Sequence, residues 1–123
     1  MRILLVEDDD TVRMFWQRNL TRAGYSVTLA PNVADGRREY LAGQYDLVLS
    51  DNDCPQKNVG RDWLKELRAR GQKTLLMSGY AAADIPELDD LPFLQKGGGL
   101  QEFLTKVAEV LGDSSASAPT TPP

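Results

Sequence analysis

Five side chains in this chain of 123 residues could do chemistry together: Glu7, Asp8, Asp51, Ser78 and Lys96. Each stands at or just past the end of a short apolar run. Three carboxylates brought to one place repel one another, and in low dielectric that is costly unless a cation sits among them. Oxygen-only ligands point to a hard ion, and so few carboxylates suit magnesium, which keeps waters and shares its remaining positions with a phosphate. Lys96 offers a cation to a phosphoryl oxygen, and the Ser78 hydroxyl with the Gly79 N–H can donate to others. Asp51 ends the most central run and is the natural nucleophile, because a carboxylate can accept a phosphoryl group as an acyl phosphate. The sequence contains no histidine, which removes His-based nucleophiles, bases and metal ligands.

The elements that must position these groups follow from hydrophobic spacing. Ile3–Val6, Tyr25–Ala30, Asp46–Asp51, Thr74–Ser78 and Phe93–Gln95 read as strands, the first of them buried on both faces. Between them, Val12, Phe15, Trp16, Leu20 and Ala23 recur at helical spacing up to Gly24. Pro31-Asn32 is a plausible cap for a helix reaching Gly43, and Trp63, Leu64 and Leu67 mark another, closed by Gly71. The last helix carries the stripe Leu100, Phe103, Leu104, Val107 and Leu111, while Ala81–Leu88, with Pro86, predicts only a short and poor fourth helix. Strands alternating with helices predict a parallel sheet covered on both faces, with a site outside the carboxyl ends of its strands.

Composition sets the outer bounds. The 41% hydrophobic and 26% charged content suits one packed domain. Residues 1–112 are expected to form it, with 113–123, rich in Ser, Thr and Pro, as a disordered tail. A net charge of −4 does not favour nucleic acid, no apolar run reaches membrane length, and acids follow Val6 too early for a signal peptide. A cytoplasmic location is the expectation. With no DNA-binding domain after residue 112, output is expected through protein contacts.

The segments Leu4-Leu5-Val6-Glu7-Asp8, Tyr45–Asp51, Leu76-Met77-Ser78-Gly79-Tyr80 and Phe93-Leu94-Gln95-Lys96 resemble, in order and spacing, the signatures of the response regulator receiver domain. The resemblance implies a flavodoxin-like, doubly wound five-stranded sheet that takes a phosphoryl group from a phosphohistidine on a sensor kinase or phosphotransfer protein. It further implies Asp51 as phosphoacceptor, Glu7 and Asp8 as the magnesium-binding pair, and the backbone carbonyl of Asp53 completing the metal site. Ser78 would be the switch hydroxyl and Lys96 the phosphate contact. Such a domain is a phosphoacceptor that can lose its own phosphoryl group, not a dedicated turnover enzyme.

The sequence also departs from the family. Where a proline usually follows the lysine, Lys96 precedes Gly97-Gly98-Gly99. A cis bond without proline costs about 2.5 to 4 kcal/mol, so a trans or mobile turn and a less well aimed Lys96 are expected. Against the family pattern, the loop from Asn52 to Gly60 is about one residue longer before its glycine, the Ser78–Lys96 interval is about four residues shorter, and Phe93 holds the position of an aromatic switch residue. Plainer readings fit other residues: Asp9 and Asp10 as helix-capping acids, Cys54 as a small loop residue, Arg37-Arg38 as a solvated face, and Trp16, Trp63 and Phe103 as core. Two rival functions stand beside the switch. One is an interaction module that keeps the fold without phosphorylation. The other is a haloacid-dehalogenase-type phosphohydrolase, suggested by Asp51-Asn52-Asp53.

Overall fold

A computed structural model describes residues 1–112; the expected tail at 113–123 lies outside the described residues. The strands are β1 (Arg2–Val6), β2 (Ser26–Ala30), β3 (Leu47–Asp51), β4 (Thr74–Ser78) and β5 (Phe93–Gln95). They form one parallel sheet in the order β2-β1-β3-β4-β5. This is the flavodoxin-like order, in which the chain winds one way from β1 to β2 and the other way from β1 to β3. The reversal opens a crevice between the carboxyl ends of β1 and β3.

Strand alternation divides the core between the two faces. Leu4, Val6, Val48 and Leu76 point to one face and pack with Val33, Trp63, Leu64 and Leu67 of α2 (Val33–Ala42) and α3 (Val59–Arg68). Ile3, Leu5, Leu47, Leu49, Leu75 and Met77 point to the other and meet Leu20, Phe103, Val107 and Leu111 of α1 (Asp10–Arg22) and α4 (Leu100–Leu111). Trp63 and Phe103 are core as expected. Trp16 is half-buried, stacked on Phe103 with ring centroids 4.8 Å apart. Phe15, assigned to the same stripe, is 48% exposed and lies outside the core.

The connection from β4 to β5 holds no α-helix where a short fourth helix was expected. Only the 3-10 turn Ala82–Asp84 forms, and the chain then runs through Pro86 with positive φ at Glu87 and Asp89. Charge on α3 takes over the fixing. Arg61 donates to the Pro86 carbonyl, Lys65 to the Glu87 carbonyl and Asp89 Oδ2 at 2.9 and 2.5 Å, and Arg68 to Asp90 Oδ1 at 2.6 Å. These three bases are spaced to share one side of α3. Ile85, Leu88 and Leu91 turn inward and seal the core.

Candidate functional site

Register brings the strand ends level. Val6 pairs with Ser50 and Asp51 with Met77, so Glu7 and Asp51 stand side by side across the crevice. Ser78 pairs with Gln95, which sets Lys96 one residue beyond, and the Lys96 N–H donates to the Ser78 carbonyl at 2.8 Å. Carboxylate oxygens of Glu7, Asp8 and Asp51 lie within 4.8 Å of one another. Glu7 is buried and Asp51 half-buried, while Asp8 is exposed and leaves a route in from solvent.

Lys96 enters this cluster. Its Nζ lies 2.7 Å from Asp51 Oδ1 and 2.8 Å from Glu7 Oε1. The expectation of a poorly aimed lysine is therefore corrected: among the described residues cis geometry occurs only at Cys54–Pro55, and a trans Lys96–Gly97 bond, with Gly97 at φ +103°, still delivers the ammonium. Burial holds the Glu7 and Asp51 carboxyls above their ordinary range, and the nearby ammonium offsets part of that. For Lys96 burial disfavours the charge, but hydrogen bonds to Asp51 and Glu7 outweigh it and the ammonium is held above its usual value. One cation facing three carboxylates leaves net negative charge in a partly dry site. That all-oxygen set fits magnesium, which the side chains of Glu7, Asp8 and Asp51 would hold.

The flanking loops explain the neighbouring residues. Asp9 caps α1, its Oδ1 accepting the Val12 N–H at 2.9 Å, whereas Asp10, expected to cap as well, lies in the first turn and pairs with Arg13. Arg13 also donates to the Glu7 carbonyl at 2.7 Å, fixing the start of α1 against the site. The Asp53 carboxylate accepts from the Asn58 N–H at 2.8 Å and from Asn52 Nδ2 at 3.2 Å. Its side chain is thus engaged in shaping the loop. Asn58 takes a left-handed conformation at φ 63° to turn the chain into α3. The Ser78 hydroxyl is buried and accepts the Tyr80 N–H at 3.1 Å.

Several contributors escaped the reading of motifs. Gly60 packs against the backbone of Asp51, where a Cβ would stand 2.0 Å from the Asp51 carbonyl oxygen. In the sequence it stands only as the glycine that follows the Asn52–Asn58 loop, two residues past its end, with no sign of this contact. Cys54 is fully buried; burial, reinforced by Asp8, Asp51 and Glu7, pushes its thiol up to about 12, which keeps it a neutral packing group. The Trp16 ring, assigned to the core, lies with its centroid 5.5 Å from Lys96 Nζ. Arg37, assigned to a solvated face, pairs with Glu66 and lies over the Trp63 ring at 6.0 Å.

Similarity to known proteins agrees with this geometry. Residues 3–108 match the response regulator receiver domain. The chain is 37% identical over 117 residues to the sensor kinase CckA of Brucella abortus, covering 89% of this chain and 12% of that protein. It is 30% identical over 122 residues to the transcriptional regulatory protein CusR of Escherichia coli, covering 94% of this chain and 53% of that one. The chain thus spans about half or less of these relatives' own lengths. In three dimensions it resembles the response regulator TrrA of Thermotoga maritima, solved in complex with Mg2+-BeF, at a TM-score of 0.78 and 25% identity over 89% of this chain and 97% of that one. A CheY-like receiver from Methanospirillum hungatei gives a TM-score of 0.79 at 24% identity over 93% and 95%, a likeness of fold. Among the described residues no helix is long and apolar enough to cross a membrane. Sheet order, strand-end chemistry and sequence match converge, and the chain belongs to the response regulator receiver domain family.

Proposed function

We propose that the chain is a phosphorylation-controlled switch, with Asp51 taking a phosphoryl group from a phosphohistidine of a histidine kinase or phosphotransfer protein. The observation that carries this reading is the Lys96 ammonium bridging Asp51 and Glu7 beside Asp8. A phosphoryl group arriving at Asp51 meets a cation within hydrogen-bond reach. An Asp51 carboxylate oxygen bonds to phosphorus as the P–N bond breaks, and the imidazole nitrogen keeps the bonding pair. Magnesium, held by Glu7, Asp8 and Asp51 with the Asp53 backbone carbonyl, would supply positive charge to the phosphoryl oxygens.

Lys96 neutralises a further oxygen, and the Ser78 hydroxyl, released from the Tyr80 N–H, donates to another. Partner-facing support comes from TrrA, also solved in complex with the histidine kinase ThkA, to which this chain is 25% identical with a TM-score of 0.77. The domain acts in the cytoplasm through protein contacts, without nucleic acid, and is a phosphoacceptor, not a turnover enzyme. The phosphohydrolase alternative is disfavoured because the Asp53 carboxylate is engaged within its loop. A never-phosphorylated module is disfavoured by the direct Lys96–Asp51 contact.

The test is phosphotransfer profiling against phosphorylated kinase domains of the source organism with magnesium present. At least one should pass its label to the wild type and none to Asp51→Asn. Transfer from no kinase, or labelling that survives the substitution, contradicts the reading.

A further inference from the structure

Lys96 is aimed without help from its own turn. The residues that follow are Gly97-Gly98-Gly99, two of them at positive φ, and they offer no side chain to confine the lysine. What confines it lies on other elements: Glu7 after β1, Asp51 on β3, and the Trp16 ring on α1 with its centroid 5.5 Å from Nζ. That separation is inside the range in which an ammonium is attracted to an indole face. The ring is itself held, stacked on Phe103 of α4 at 4.8 Å with the planes 21° apart. Trp16, Lys96, the three glycines and Phe103 line one cleft of about 300 Å³ between α1 and α4.

The two carboxylates and the ring differ in one respect. A cation held by Glu7, Asp8 and Asp51 would compete with Lys96 for the Glu7 and Asp51 carboxylates that now hold its ammonium. It does not compete for an indole face. We propose that Trp16 is a positioning residue, which keeps the Lys96 ammonium over the site when its carboxylate partners are taken up by metal and phosphoryl group. In effect, a ring on α1 supplies the aim that the glycine turn lacks. The inference rests on the receiver reading for its consequence, the rate of phosphoryl transfer, but its geometric content stands apart from that reading.

Two measurements on the full chain test it. In 13C-edited NMR spectra with magnesium, the Lys96 ε-methylene protons of the wild type should be shifted upfield of the other lysines by the indole ring current. Trp16→Leu should abolish that shift. At saturating magnesium, Trp16→Leu should slow phosphorylation by acetyl phosphate about threefold to fivefold, while Trp16→Phe and Trp16→Tyr retain most of the rate because they keep an aromatic face. Thermal midpoints and amide spectra establish which variants are folded, and the Phe and Tyr variants decide the question if the leucine variant is not. An unshifted Lys96 resonance in the wild type overturns the proposal, as does a folded leucine variant with the wild-type rate. Should the wild type take no phosphoryl group at all, the receiver reading fails, and the ring-current comparison still decides where Trp16 holds the lysine.

Discussion

The Lys96 ammonium stands 2.7 Å from Asp51 Oδ1, although the two residues come from strands that are not neighbours in the sheet. Lys96 follows β5, reaches across the end of β4 to Asp51 on β3, and continues to Glu7 after β1. One residue therefore ties together the carboxyl ends of four adjacent strands, its backbone N–H on the Ser78 carbonyl and its ammonium on Asp51 and Glu7. The Asp51 and Glu7 carboxylates both take their orientation from where that ammonium lies.

Without metal, the site costs stability. Burial holds Glu7 and Asp51 above the ordinary carboxylate range near ~4. As pH rises through that interval the folded state keeps protons that the unfolded chain has already released, so folding stability falls with rising pH. Replacing Asp51 by Asn should raise the thermal midpoint of the metal-free protein by about 3–6 °C, corresponding to ~1 kcal/mol. Calorimetry in EDTA over a pH series rising from the ordinary carboxylate range checks both the slope and its reduction in the variant. An unchanged slope would remove the buried carboxylates as its cause.

Close packing at Gly60 makes a second prediction. Its missing side chain admits the Asp51 carbonyl oxygen to within 2.0 Å of where a Cβ would be. The contact is with backbone, which cannot rotate aside. Gly60→Ala should therefore cost about 2–3 kcal/mol in urea unfolding and displace Asp51 from the cluster. A variant as stable as the wild type would show that α3 can shift at no cost.

The segment that replaces a fourth helix should depend on Arg61 more than on its exposed neighbours. Arg61 is 8% exposed and satisfies the Pro86 carbonyl, whereas the Arg68–Asp90 pair is on the surface. Arg61→Met should cost about 1–3 kcal/mol and raise amide exchange over residues 84–91. Arg68→Met should change little, since exposed pairs contribute weakly and are screened by salt. Equal effects from both substitutions would mean that charge, not the buried bond, fixes the segment.

Metal binding should follow the carboxylates that converge. Glu7→Gln and Asp8→Asn should each weaken magnesium binding at least tenfold, about 1.4 kcal/mol, in a fluorescence or calorimetric titration. Asp53→Asn should do less at the metal and more to the loop, because its carboxylate engages the Asn58 N–H and Asn52 Nδ2. If Asp53→Asn were the most damaging of the three, the metal site would have to be redrawn around that side chain.

Much of this was legible in the sequence because a parallel strand buried on both faces is a short apolar run with an abrupt polar end. Val6 to Glu7, Ser50 to Asp51 and Gln95 to Lys96 mark such ends, and the sheet order does the rest. What was hidden depends on contacts between residues far apart in the chain. The direction of Lys96 is set by Glu7, 89 residues away, and by Trp16, whose helical spacing reads only as core. The turn after Lys96 suggested poor aim because local geometry carries no record of a distant ring or carboxylate. Likewise, the weak helical pattern around Pro86 revealed a short connection but not the bases on α3 that hold it.

The central claim, phosphoryl acceptance at Asp51, is tested most directly by intact-mass spectrometry after incubation with acetyl phosphate and magnesium. The account predicts a gain of about 80 Da, one phosphoryl group, in the wild type and none in Asp51→Asn or in EDTA. A wild type that gains no mass, or an adduct that persists in Asp51→Asn, would contradict it.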